Sequence, residues 1–191
     1  MVKAIIFDCF GVLTSDGWLP FKRKYFGHDK NLENQATDLN KQVDSGHADY
    51  NEFLEKVAEL AHVPAKEARR AIEDNVADEE LFAYIRKELK PRYKLGLLSN
   101  AGDNWLDELF SPEQVALFDA AALSYETGVV KPGKQAYAVI AERLGVQPEE
   151  CVFIDDQERY CTAAREFGMQ AVWYRGFEQM KQDLEPLLRQ S

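Results

Sequence analysis

The stretch Ala4-Ile5-Ile6-Phe7-Asp8-Cys9-Phe10-Gly11-Val12-Leu13-Thr14 decides how the chain folds. Its first four residues are apolar with no polar alternate, the pattern of a strand covered on both faces, and the run breaks on a carboxylate. Outward from it the same pattern recurs. Residues 94–98 end on Ser99-Asn100, and residues 151–154 end on Asp155-Asp156. Residues 170–173 form another apolar run, and residues 117–123 contain a shorter fifth one. Helix-like stretches lie between them at 103–110, 135–144 and 160–167, and Gly145 and Gly168 stand where helix-stop glycines belong. Strands alternating with amphipathic helices predict an α/β fold, a parallel sheet with helices on both faces.

Residues 15–87 break that alternation. They are rich in Lys, Glu, Asp, Asn and Ala, and Phe53, Leu54, Val57 and Leu60 recur at helical spacing, as do Leu81, Tyr84, Ile85 and Leu89. The expected division is therefore an α/β core of residues 1–14 and 88–191 with an all-helical cap at 15–87. Within that stretch, 15–78 reads as the insertion and 79–90 as the helix returning to the core. Such an insert is expected over the carboxyl ends of the strands, where sheets of this kind bind ligands.

Composition narrows the function. The formal net charge is −10 with no basic stripe, so most of the surface repels a nucleic-acid backbone, and DNA or RNA is not the expected partner. A small anionic substrate is compatible, because a local lysine and a bound cation outweigh a diffuse field at contact distance. No apolar run approaches the ~20 residues of a membrane span. The strand begins almost at Met1 with no charged leader before it, so the expected compartment is the cytoplasm. Cys9, Cys151 and Cys161 have no zinc spacing and read as reduced, packed thiols, with Cys9 of interest as the neighbour of Asp8. His28, His47 and His62 lie in no ligand motif. Nothing in the sequence sets the oligomeric state.

In a parallel sheet the three polar strand ends share one edge, which gathers three carboxylates, a hydroxyl and an amide. With that set, in that order, the chain resembles the haloacid dehalogenase superfamily. Asp8 matches the nucleophilic aspartate of its first motif, Ser99-Asn100 the second, Lys131 in Gly128-Val129-Val130-Lys131-Pro132 the third, and Asp155-Asp156 the acidic fourth. The resemblance implies an aspartate nucleophile and a Mg²⁺ ion held by Asp8, the Phe10 carbonyl and Asp155 or Asp156. It implies Lys131 as a charge on both Asp8 and the transferring group, and Ser99 with the Asn100 amide as donors to the substrate. Hard oxygen ligands suit Mg²⁺, and such a cation offsets repulsion between a carboxylate and a phosphoryl group. Asn100-Ala101-Gly102-Asp103 also reads as a cap for the 103–110 helix, and one of Asp155 and Asp156 as an organiser of Lys131.

The pattern departs at Phe10. Phosphatases of this family carry an aspartate two residues after the nucleophile, which protonates the leaving alcohol and activates water, work worth roughly 10²–10⁴-fold. A water, a cap residue or a leaving group of low pKa would have to compensate. Members that cleave carbon–halogen bonds lack that aspartate, and Asp8-Cys9-Phe10-Gly11 resembles them locally. They have Ser-Ser-Asn in place of the fourth motif, however, and a cap arginine for which Arg23 is the nearest candidate. The favoured reading is Mg²⁺-dependent hydrolysis of a small phosphate ester. The alternatives are 2-haloacid dehalogenation and a weakened, ligand-binding fold.

Overall fold

A computed structural model describes residues 1–189. Its elements run β1 (Ala4–Phe7), α1 (Trp18–Phe26), α2 (Lys30–Asp44), α3 (Tyr50–Ala61), α4 (Ala65–Glu73), α5 (Glu79–Tyr84), β2 (Lys94–Ser99), α6 (Leu106–Leu109), α7 (Pro112–Val115), β3 (Ala120–Leu123), α8 (Ser124–Thr127), α9 (Lys134–Leu144), β4 (Cys151–Asp155), α10 (Glu158–Phe167), β5 (Gln170–Trp173) and α11 (Phe177–Arg189). All five strands are parallel, in the order β3-β2-β1-β4-β5. The apolar runs split by their period of two. Ile5, Phe7, Leu95, Leu97, Val152 and Ile154 face one helical layer, whereas Ala4, Ile6, Leu98, Cys151 and Phe153 face the other.

Register sets the site. Phe7 pairs with Leu97 on one side and Ile154 on the other, so the residues that follow leave the sheet side by side. After β1 the chain crosses first to β2 and later to β4 on the opposite side. That reversal opens a crevice at the carboxyl ends of the central strands.

Five α-helices lie between β1 and β2, and the first four, α1 to α4, have an apolar cluster of their own around Phe21, Phe26, Phe53, Leu54 and Val57. Asp29, Asp49 and Asp78 cap the N-termini of α2, α3 and α5 by accepting backbone N–H bonds. From Asp78 onward the chain packs on the sheet, with Leu81, Phe82, Ile85 and Leu89 in its core. The expected continuous helix at 79–90 is instead α5 followed by a π-helical turn, Ile85–Leu89. A spacing of four residues drifts about 40° per step on an α-helix. The wider π turn brings Leu89 back in line with Leu81 and Ile85.

The helix expected at 103–110 is also shorter. It begins at Leu106, whose N–H bonds Asn104 Oδ1, while Asp103 Oδ1 accepts only from Asn104. Gly145 and Gly168 end α9 and α10 in the left-handed region, as expected. No helix among the described residues is long and apolar enough to cross a membrane.

Candidate active site

Asp8 leaves β1 with its N–H bonded to the Ile154 carbonyl, and the chain then folds back sharply. The Cys9 carbonyl accepts from Val12, Leu13 and Thr14, and Gly11 N–H bonds the Thr14 carbonyl. Gly11 sits at φ +82°, and a Cβ there would stand 2.8 Å from the Asp156 carboxyl, so only glycine lets this loop lie against β4.

Lys131 is the centre of the site. Its ammonium is buried and lies 2.7 Å from Asp8 Oδ1 and 2.7 Å from Asp155 Oδ2, with the Tyr160 ring 4.9 Å away. Asn100 holds its loop from β2: Oδ1 accepts from Lys131 N–H at 2.8 Å, and Nδ2 donates to the Lys131 carbonyl at 3.1 Å. Asn100 therefore clamps the lysine loop and does not cap the following helix. Asp155 is fully engaged, with Oδ1 accepting from Gln157 N–H at 2.7 Å and Oδ2 on Lys131. Asp156 differs, because its Oδ1 is buried without a hydrogen-bond partner. Ser99 Oγ, at the end of β2, is likewise buried and unpartnered.

Oxygens of Asp8, Asp155 and Asp156 lie within 4.8 Å of one another. Three carboxylates against one lysine leave a formal excess of two negative charges. Burial pushes Asp8 up to about 8, opposed by Lys131 and assisted by Asp155. Burial, with Asp155 next, raises Asp156 to about 6. Burial works against charge on Lys131, but Asp155 and Asp8 more than offset it and hold the ammonium protonated. A divalent cation fits this donor set: it matches the excess charge, and two orphaned polar atoms await partners. Cys9 is buried, and burial together with Asp8 drives its thiol far above the usual range, so it is inert.

Asp8, Ser99, Asn100 and Lys131 floor a cavity of about 470 Å³ whose other wall comes from the insert, including Asp16, Trp18, Lys22, Asn40, Asp44, Tyr50 and Phe53, with Trp105 and Arg159 at its sides. Phe10 meets Trp105 edge-on at 6.3 Å, Trp105 meets Tyr50 at 4.5 Å, and Tyr50 and Trp18 both contact Phe53. An aromatic seam thus runs from Phe10 into the insert. Arg23 is exposed and lines no part of this cavity.

Comparison with known proteins identifies the family. A family model for haloacid dehalogenase-like hydrolases matches residues 2–168. The phosphatase MT3486 of Mycobacterium tuberculosis is 29% identical over 194 residues, covering 89% of this chain and 86% of that protein. The chain spans about half, 52%, of the length of another relative, YhcW of Bacillus subtilis, at 27% identity. A HAD-like family hydrolase from Porphyromonas gingivalis superposes with a TM-score of 0.75 at 25% identity, over 100% of both chains. The HAD family enzyme BT-2542 of Bacteroides thetaiotaomicron, solved with magnesium and inorganic phosphate, gives a TM-score of 0.68 at 26% identity, over 90% of this chain and 93% of its own.

Proposed function

We propose, from the premise that this chain belongs to the haloacid dehalogenase-like hydrolases, that it hydrolyses a small phosphate ester with Asp8 as nucleophile and Mg²⁺ as cofactor. The observation that carries this reading is the cluster of three carboxylates, in which buried Asp8 and Asp155 share Lys131 while Asp156 Oδ1 is left without a partner. Asp8, the Phe10 carbonyl and Asp156 would hold the cation. Asp155, occupied by Lys131 and Gln157, serves as the organiser. When bound, the cation supplies charge neutralisation between the carboxylate and the phosphoryl oxygens.

The chain's own residues do the rest. Lys131 holds Asp8 by one oxygen and keeps a fixed charge beside the transferring group. Ser99 Oγ donates a hydrogen bond to a phosphoryl oxygen, and Asn100 maintains the lysine loop at the right height. The residues of α1 to α4 form a cap over the cavity, with Asp78 as its last residue, and the cap selects the small anionic substrate. The phosphatase named among the relatives and the magnesium and phosphate held by BT-2542 support this reading.

Phe10 favours a second reading, metal-free displacement of halide at carbon, which needs no proton donor. Against it stand the excess negative charge at the site and the outward position of Arg23. Turnover of p-nitrophenyl phosphate and of a 2-haloacid, each with and without Mg²⁺, is the test. Ester hydrolysis that requires Mg²⁺ and disappears in Asp8→Asn is the expected result. Haloacid turnover without metal, with no ester hydrolysis, would transfer the assignment.

A further inference from the structure

With Phe10 unable to move a proton, the cavity offers two carboxyls that neither Lys131 nor the cation set uses, Asp16 and Asp44. Asp16 is occupied by its own backbone: Oδ1 accepts from Trp18 N–H at 2.8 Å and Leu19 N–H at 3.3 Å, which opens α1. Asp44 is the last residue of α2. Among the described residues its carboxyl has one hydrogen-bond partner, Asn40 Nδ2 at 2.9 Å on Oδ2, one turn earlier on the same helix.

The end of α2 is fixed to the catalytic edge of the core. Ser124 Oγ, buried at the end of β3, donates to the Asp44 carbonyl at 2.5 Å and accepts from Ala101 N–H at 2.9 Å. Ala101 directly follows Ser99-Asn100. Next to it, Gly102 leaves room for Val43, since a Cβ there would collide with Val43 Cγ1. One hydroxyl therefore ties the backbone of Asp44 to the loop that carries Ser99 and clamps Lys131. We propose that Asp44, reaching over from the helical insert, is the general acid and base that replaces the aspartate missing at position 10.

The proposal rests on the phosphate-ester reading. In the first step an Asp8 oxygen forms a bond to phosphorus while the bond from phosphorus to the ester oxygen breaks. The ester oxygen keeps the electron pair, takes the Asp44 carboxyl proton and departs as the alcohol. In the second step Asp44, now a carboxylate, takes a proton from water as the water oxygen bonds to phosphorus. The Asp8–phosphorus link breaks, which releases inorganic phosphate, Asp8 as carboxylate and Asp44 protonated again. Burial pushes Asp44 up to about 7, against the pull of Lys131 and the Asn40 hydrogen bond, and Asp16 adds to the rise while Arg159 opposes it. That range suits a group that must give and take a proton near neutrality.

First-turnover rates, with Mg²⁺, on p-nitrophenyl phosphate and on glycerol 2-phosphate provide the test. In Asp44→Asn the alkyl ester should slow by ~10²–10⁴-fold, the range of general acid catalysis, while the aryl ester, which leaves unprotonated, stays within about tenfold. Ser124→Ala, which frees the anchor, should produce the same selective loss at smaller size. Asp16→Asn should move both esters alike. Equal losses on both esters in Asp44→Asn, or none on either, would overturn the role of Asp44. A selective loss in Asp16→Asn instead would do the same. A wild-type protein that turns over neither ester would overturn the underlying phosphate-ester reading, which separates the two failures.

Discussion

The core and the insert solve different problems with the same kinds of buried aromatic and aliphatic anchors. In the core, strand register places Asp8, Ser99 and Asp155 to within one residue of a common edge, and the apolar runs that fix this register also fix the chemistry. In the insert, helices pack on one another around Phe21, Phe26, Phe53, Leu54 and Val57, and only selected points touch the core. Those points include the Thr14 to Ala77 bridge, the Ser124 anchor, the contact of Val43 with Gly102 and the Phe10–Trp105–Tyr50 seam. The difference teaches that the carboxylate and lysine edge is set by the sheet, whereas the facing wall of the cavity is set by how the insert docks.

The strongest challenge to that contrast is at Lys131. Lys131→Met leaves Asp8 and Asp155 buried without their cation, so stability should fall by ~3–5 kcal/mol. Turnover should fall by ~10²–10³-fold, the loss typical of one removed electrostatic donor. Urea unfolding and steady-state kinetics measure the two. A variant of unchanged stability would mean that the core edge is less tightly coupled than the 2.7 Å pairs imply.

Next come two equivalent truncations. Leu97 and Leu54 are each about 1% exposed, one in the sheet core and one in the insert core, and each change to Ala should cost about 2–5 kcal/mol. Hydrogen exchange distinguishes them. Leu97→Ala should lower protection throughout the chain, whereas Leu54→Ala should loosen α1 to α4 and leave the strands protected. Uniform loss in both would erase the distinction between the two regions.

A smaller effect is expected at Asp44, and its sign follows from burial. Its carboxyl is raised when folded, so it favours folding while protonated, and this contribution is lost as pH rises from about 4 through about 7. Asp44→Asn carries no such loss. It should be the more stable protein at pH 8, by on the order of 1–3 kcal/mol, and no more stable near pH 4. Thermal melts at the two pH values decide it.

The smallest effect is at Asp119, which joins Lys90 at 2.7 Å and the Leu95 N–H at 2.7 Å across the start of β2. Partial burial works to raise this carboxyl, but Lys90 and the Leu95 N–H outweigh it and hold it below the usual range. Its contribution is present above about pH 4 and fades as pH falls through the lower folded value. Asp119→Asn should cost at most ~1 kcal/mol at pH 7 and nothing near pH 2, read by the same melts.

The strand ends were legible because an apolar run that stops on a carboxylate or hydroxyl is a local event. Asp8, Ser99 and Asp155-Asp156 therefore stand out in the sequence, and the parallel sheet follows from what lies between them. Lys131 was legible only by likeness to a known motif, since nothing near it shows that its side chain is buried. The roles of Asp155 and Asp156 are not separable in sequence because both follow one apolar run, and it is tertiary neighbours, Lys131 and the Gln157 N–H on Asp155 and the Gly11 turn against Asp156, that distinguish them. Asp44, Trp105 and Arg159 were illegible because they reach the cavity through tertiary docking that no spacing records. The helix at 103–110 is shorter than its pattern predicts because Asn104, rather than Asp103, accepts the Leu106 N–H at its start.

The aromatic seam has an optical consequence. The chain contains three tryptophans, and all three border the site. Trp18 and Trp105 line the cavity, and Trp173, at the end of β5, donates its indole N–H to the Asp156 carbonyl at 2.8 Å. Intrinsic emission from this protein therefore originates almost entirely around the reactive groups. A change in the surroundings of these groups would register in the emission of the unlabelled molecule.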